Sequence, residues 1–177
     1  DNLLVDEKKG DIKFKDFIRD DIQMRYLFEN FARNFYRREL GNFKVFRENI
    51  YWDAEIGDSE SLKLLPIMQT DISLESADRK IIIDAKYYKD VFNYNMDTKK
   101  LSSSNLYQLF SYLKNSEAKG GLNLNSEGIL LYPAVDEEVN LDYYIQGHKL
   151  SIKTVNLNQD WQGIHNRLLE IIGVGIT

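Results

Sequence analysis

The chain has 177 residues and a formal net charge of −5; 43% of the residues are hydrophobic, 29% are charged, and there is no cysteine. This length and composition fit one soluble globular domain with a sizeable core and exclude a disordered chain. The acidic balance argues against a protein that coats nucleic acid through bulk positive charge, and the missing cysteines exclude disulfides and thiolate metal sites.

The first predicted element is a helix over residues 20–40, in which apolar side chains recur at the i, i+3, i+4 spacing of one buried stripe. The residues expected to point inward are Met24, Leu27, Phe28, Phe31, Ala32 and Phe35. Asp20 is the candidate N-cap, and Gly41 follows the last turn as a stop signal. Residues 1–14 are expected to be a poorly ordered lead-in.

Three strands are predicted next, over residues 43–52, 65–75 and 80–88. The neighbouring isoleucines of the third strand indicate that both of its faces are buried. The polar turn "SADR" between the second and third strands favours a hairpin. Residues 89–101 are predicted to be a loop.

The second half of the chain is predicted to form a helix over residues 102–116, a strand over 128–135, one or two strands over 143–157 and a helix over 159–173. The inward residues of these helices are expected to be Leu106, Leu109, Phe110, Leu113, Trp161, Ile164, Leu168 and Ile171 or Ile172. The order of elements predicts one α/β domain with a mixed central β-sheet flanked by helices.

A carboxylate and an ammonium interrupt the most apolar strand. Asp84 and Lys86 are two residues apart, so they point to the same face, and hairpin pairing around the turn brings Asp71 opposite Asp84. Two carboxylates that share a small patch with one amine favour Mg²⁺ or Mn²⁺, which prefer oxygen ligands. The alternative is a structural ion pair between Asp84 and Lys86.

Asp71, a turn and then Asp84-Ala85-Lys86 resemble the PD-(D/E)xK nuclease motif, with Thr70 in place of the proline. Many such nucleases carry an acidic residue on the helix before the sheet, where this chain has Glu29. Q-x-x-x-Y on the following helix, formed here by Gln108 and Tyr112, resembles the RecB-like branch.

Longer strings extend the resemblance to one family. "YLFENFARNFYRREL", "LLPIMQTDISL", "IIIDAKYYK", "NLYQLFSYL", "LLYPAV" and "TVNLNQDW" together resemble the nuclease half of the McrC family, over about residues 20–172. Members of that family are the endonuclease subunits of McrBC-type, modification-dependent restriction systems.

The resemblance implies one restriction-endonuclease-like domain over residues 1–177 that cuts DNA with Mg²⁺, for which Mn²⁺ substitutes. The implied partners are double-stranded DNA and a McrB-like AAA+ GTPase. Members of the family dock to the GTPase through an N-terminal region for which no counterpart is expected in this sequence, so an isolated catalytic domain or a shortened relative is expected. Residue 1 is Asp, so a fragment or a processed product is expected. A cytoplasmic location without a membrane is expected, and dimerisation of nuclease domains is left open. The alternatives are a standalone RecB-like nuclease and a non-catalytic assembly module.

Carried over residue by residue, Asp71 and Asp84 are expected to ligate the metal together with the backbone carbonyl of Ala85. Lys86 is expected to position the attacking water. Glu29 is expected to reach the metal site, the alternative being a plain solvent-facing glutamate.

Two further sets of residues are expected to assist. Gln108 and Tyr112 are supporting residues, although Tyr112 could instead be a packing residue with its hydroxyl in water. The candidates for contacts with DNA phosphates are Arg25, Arg33, Arg37, Arg38, Lys99 and Lys100.

Overall fold

The computed structural model describes residues 22–55, 58–87, 91–95, 98–134 and 138–175. The helices are α1 (described over 22–39), α2 (Ser59–Leu62), α3 (Ser103–Ser116) and α4 (Trp161–Ile171), with 3₁₀ turns at Glu117–Lys119 and Gly121–Asn125. The strands are β1 (Lys44–Phe46), β2 (Asn49–Ile50), β3 (Met68–Gln69), β4 (Ile72–Glu75), β5 (Lys80–Ala85), β6 (Phe92–Asn95), β7 (Thr98–Leu101), β8 (Glu127–Ala134), β9 (Asn140–Ile145) and β10 (His148–Asn156). Within the described ranges, no helix has both the length and the apolar character needed to cross a bilayer.

Six strands form the central sheet in the order β1-β4-β5-β8-β10-β9. The β5–β8 and β8–β10 pairs are parallel, whereas β1–β4, β4–β5 and β9–β10 are antiparallel. β2 pairs with β3, and β6 pairs with β7, as two small separate ribbons. The predicted mixed sheet flanked by helices is therefore confirmed.

Helices cover both faces of the sheet. On one face, α1 and α4 bury a cluster that includes Phe35, Leu168 and Ile83. On the other face, α3 packs Leu109 and Leu113 against strands β5, β8 and β10. Because side chains alternate along β5, this strand contributes to both clusters, which accounts for its unbroken run of isoleucines.

The helical stripes were only partly predicted. Met24 and Leu27 of α1 are 39% and 60% exposed, and burial in this helix starts at Phe28. Trp161 is also wrongly assigned to the interior, because it opens α4 with 54% of its surface exposed and packs edge-on against Phe35. Asp20, the predicted cap of α1, lies outside the described residues.

Two strand predictions were wrong in detail. The segment predicted as one strand over 65–75 is split into β3 and β4 by Thr70 and Asp71, because Thr70 exchanges hydrogen bonds with Glu48 instead of continuing the sheet. The segment 43–52 is likewise divided into β1 and β2. The predicted loop over 89–101 contains the β6–β7 ribbon.

Candidate functional site

The β4–β5 hairpin brings Asp71 and Asp84 together. The register pairs Ile72 with Ile83, so the next position outward sets Asp71 opposite Asp84. The backbone N–H of Ala85 donates a hydrogen bond to Oδ2 of Asp71 at 2.9 Å. Asp84 is 3% exposed, so its carboxylate lies inside the fold at the end of a buried strand.

The end of β5 explains why these groups meet there. β5 runs parallel to β8, and the N–H of Lys86 still bonds to the carbonyl of Leu131 after the strand has ended. The carboxyl ends of parallel strands are common positions for functional groups, because loops and helix ends meet there. The backbone of β5 therefore holds Asp84 and Lys86 in fixed positions.

The ammonium of Lys86 lies between two elements. Its Nζ is 2.9 Å from Oδ2 of Asp84 and donates a hydrogen bond to Oε1 of Gln108 at 2.6 Å. Gln108 in turn donates from Nε2 to the hydroxyl of Tyr112 at 2.9 Å. Tyr112 is 6% exposed, so it is buried and not half-buried, and its hydroxyl accepts this hydrogen bond.

Burial and neighbouring negative charge raise the pKa values of the two aspartates. Burial, reinforced by the carboxylates of Asp84 and Glu29, raises the pKa of Asp71 to about 7. Burial also raises the pKa of Asp84, although Lys86 opposes the shift. Burial and the two aspartates raise the pKa of Tyr112 to about 12. A cation beside the two aspartates would favour their ionised forms and lower both pKa values again.

One oxygen of the Asp84 carboxylate is buried beside charged groups. Oδ2 of Asp84 is buried, and its close contact is the ion pair with Nζ of Lys86 at 2.9 Å, beside the carboxyl group of Asp71. Such an atom is costly unless something else coordinates it, and a hard oxygen donor suits a divalent cation. Within the described ranges, however, no three His, Cys, Asp or Glu side chains converge on one metal position.

Glu29 lies near the pair but faces other partners. It is 6% exposed, so the alternative of a solvent-facing glutamate is wrong. Its Oε1 accepts a hydrogen bond from Arg33 at 2.8 Å and lies 3.7 Å from Nη2 of Arg47. Direct participation of Glu29 in metal binding stays a prediction.

The candidates for phosphate contacts are in different environments. Arg33 is engaged within the fold, where it bonds to Glu29, Asn30 and the carbonyl of Asp71, so it is not a free surface cation. Arg25, Arg37, Arg38 and Lys100 are exposed, and the side chain of Lys99 is outside the described residues.

The sequence did not predict that Arg33 bonds to Glu29 and to the carbonyl of Asp71 within the fold, and it did not single out Arg47. The only local signal for Arg33 is its i+4 spacing from Glu29, which allows an ion pair along a helix. No pattern in the sequence marks Arg47 as a neighbour of the same carboxylate.

Comparisons with known proteins cover these residues. The model of the family described as "McrBC 5-methylcytosine restriction system component" matches residues 22–133. A curated relative from Escherichia coli (strain K12), "Type IV methyl-directed restriction enzyme EcoKMcrBC", is 42% identical over 170 residues, which are 96% of this chain and 48% of the relative. The chain thus spans about half the length of that relative.

Proposed function

Because the chain belongs to the McrC family of McrBC 5-methylcytosine restriction system components, we propose that it is the nuclease domain of such a system. It is a Mg²⁺-dependent endodeoxyribonuclease with a restriction-endonuclease-like, PD-(D/E)xK core. The observation that carries the proposal is the position of Asp71 opposite Asp84, one residue beyond the Ile72–Ile83 pair, with the ammonium of Lys86 2.9 Å from Asp84.

The donor set fits the ion. Asp71, Asp84 and the backbone carbonyl of Ala85 would hold Mg²⁺ or Mn²⁺, both of which favour oxygen ligands. The burial of the Asp84 carboxylate beside that of Asp71 supports this assignment, because two neighbouring buried carboxylates favour a cation. When bound, the ion neutralises charge on the phosphoryl oxygen and lowers the pKa of a water molecule.

The chain's own groups orient the reactants. The N–H of Ala85 donates a hydrogen bond to Oδ2 of Asp71 at 2.9 Å and so fixes the orientation of the carboxylate that would hold the ion. Lys86 is held by Asp84 and Gln108, and its remaining N–H bonds orient the attacking water or stabilise charge on the phosphate. Tyr112 has a pKa of about 12, so its hydroxyl stays protonated at neutral pH and supports Gln108.

The substrate and partners follow from the family. The substrate is double-stranded DNA, and the partner is a McrB-like AAA+ GTPase that recognises and translocates it. The name of the curated relative, which includes "methyl-directed", describes a protein about twice as long as this chain. Recognition of methylated cytosine is therefore assigned to other parts of the assembly.

Cleavage of methylated double-stranded DNA, assayed with Mg²⁺, the GTPase partner and this domain joined to a region that docks to the partner, tests the proposal. Asp84→Asn should abolish cleavage while the folded structure persists, because the amide keeps the size of the side chain but is a poor metal ligand. Asp142→Asn is the matched control, since Asp142 also pairs with a lysine, Lys153, at 2.8 Å, but on the outer strand pair β9–β10. Undiminished Mg²⁺-dependent cleavage by Asp84→Asn would contradict the proposal.

A further inference from the structure

The residues that carry Asp71 are not held by the sheet. Thr70 and Asp71 lie between β3 and β4, outside the regular ladder. The N–H of Thr70 bonds to the carbonyl of Glu48 at 2.9 Å. Because Thr70 and Asp71 lie outside the ladder, their carbonyls bond to side chains and not to a neighbouring strand. Buried carbonyls need such partners, and here side chains provide them.

Two guanidinium groups from different elements reach these carbonyls. Arg33 on α1 donates from Nη1 to the carbonyl of Asp71 at 3.0 Å. Arg47, between β1 and β2, donates from Nε to the carbonyl of Thr70 at 3.4 Å. Consecutive carbonyls of one short segment are thus held by two arginines.

The same two arginines meet at one buried carboxylate. Oε1 of Glu29 is 2.8 Å from Nη1 of Arg33 and 3.7 Å from Nη2 of Arg47. The side chain of Glu29 is 8% exposed, so its charge would be costly without these two cations. The rigid fork of arginine allows each side chain to contact the carboxylate and a carbonyl together, which a lysine ammonium does less well.

We propose that Glu29, Arg33 and Arg47 form a clamp that positions Asp71 for metal binding. The clamp rests on the proposed function, because its purpose is to aim a metal ligand. Glu29 then acts through Arg33 and Arg47, as a positioning residue that does not touch the ion. The lack of a third acidic side chain converging on Asp71 and Asp84 within the described ranges agrees with this role.

Amide hydrogen exchange of the metal-free chain tests the clamp without depending on activity. The N–H of Ala85 bonds to Asp71, whereas the neighbouring N–H of Lys86 bonds to Leu131 of β8. If Arg33 holds Asp71 in position, Arg33→Lys should increase the exchange rate of the Ala85 amide by roughly tenfold relative to the exchange rate of the Lys86 amide. Equal exchange at Ala85 in variant and wild type, or equal acceleration at both amides, would overturn the clamp.

Arg79→Lys is the matched control. Arg79 also bonds to a carboxylate, Glu127 at 2.7 Å, and to a carbonyl, Ile172 at 2.9 Å, but it lies at the opposite end of β5. Replacing Arg79 by lysine removes the same kind of guanidinium contacts at that end of β5. It should leave the ratio of the amide exchange rates of Ala85 and Lys86 unchanged. A changed ratio in this control would show that Ala85 reports general loosening, and the clamp would fail.

Mn²⁺ titration of the single and double variants separates the clamp from direct ligation. Losing support for a metal ligand lowers affinity by about 10–100-fold. If Glu29 acts through Arg33, Glu29→Gln and Arg33→Lys should each weaken Mn²⁺ binding, and the double variant should be no weaker than the worse single variant. Additive losses would overturn the clamp and make Glu29 a ligand. A wild-type chain that binds no Mn²⁺ would refute the proposed function instead, while the Ala85 exchange result would still decide the clamp.

Discussion

At the scale of single residues, the arrangement of Asp71 and Asp84 opposes stability. Two buried carboxylates share one end of a hairpin, and burial raises the pKa of both. Local rules are commonly broken in this way at functional sites. The sequence allowed this pair to be predicted, because period-two alternation and the "SADR" turn define the register. The contact of Arg33 could not be predicted, because it depends on how α1 docks beside Asp71, 38 positions away. The contact of Arg47 depends likewise on how the segment between β1 and β2 lies beside Thr70, 23 positions away.

Replacing Asp71 by asparagine should change the free energy of unfolding by an amount that depends on pH. In the folded, metal-free chain the pKa of Asp71 is about 7, above its ordinary value of 3.8, so the folded state retains a proton that the unfolded state loses. The contribution of Asp71 to stability is therefore intact below about pH 4 and is lost as the pH rises to about 7. Asp71→Asn should raise the free energy of unfolding by on the order of 1–3 kcal/mol at about pH 8 and change it little at about pH 4.

Urea denaturation of wild type and Asp71→Asn at both pH values, with a chelator present, measures this difference. Adding Mg²⁺ should then reverse the order at about pH 8, since a bound ion stabilises only the chain that binds it. An Asp71→Asn variant whose advantage is the same at both pH values would refute the raised pKa as the source of the cost.

At the scale of elements, the site depends on how closely α3 approaches the sheet. Gln108 and Tyr112 reach Lys86 because α3 lies directly on β8, where Gly128 leaves room for Leu109 and Leu113. The periodicity of α3 was sufficient to predict the helix. The distance between α3 and β8 was not predictable, because it depends on a pairing between elements and not on a local pattern.

Gly128→Ala should therefore disturb the site from a distance. A Cβ at this position would lie 2.8 Å from Cδ1 of Leu113 and 3.1 Å from Leu109, so these side chains must shift, and we expect α3 to move outward with them. We expect the free energy of unfolding to fall by about 1–3 kcal/mol. DNA cleavage at saturating Mg²⁺ should fall as well, because the bond from Lys86 to Gln108 lengthens.

Thermal denaturation and cleavage rates, measured on the same preparations, test this prediction. Gly41→Ala is the control, because nothing lies within 4 Å of a Cβ there and its φ is not positive. Wild-type stability in Gly128→Ala would mean that the packing of α3 tolerates the methyl group, and the proposed link between α3 spacing and cleavage would fail.

At the scale of the whole molecule, a buried polar cluster and two apolar clusters fix the sheet. Lys80, 4% exposed, is paired with Glu48 at 2.8 Å, and Lys119 reaches the same carboxylate at 2.7 Å. Burial acts against ionisation of Glu48, but hydrogen bonds from Lys119 and Lys80 outweigh it and lower its pKa. Fold class and the alternation of strands and helices followed from the sequence. The polar cluster of Glu48, Lys80 and Lys119 could not be predicted from the sequence, because its members come from segments more than 30 positions apart.

The central claim is that Asp71 and Asp84 together bind one divalent ion. The most direct measurement is anomalous diffraction from crystals of the chain soaked in Mn²⁺, with Asp71→Asn crystals as the control. We expect one anomalous peak about 2.0–2.3 Å from a carboxylate oxygen of each aspartate, and a loss of that peak in the control. No peak at saturating Mn²⁺, with Lys86 still occupying the space beside Asp84, would contradict the account.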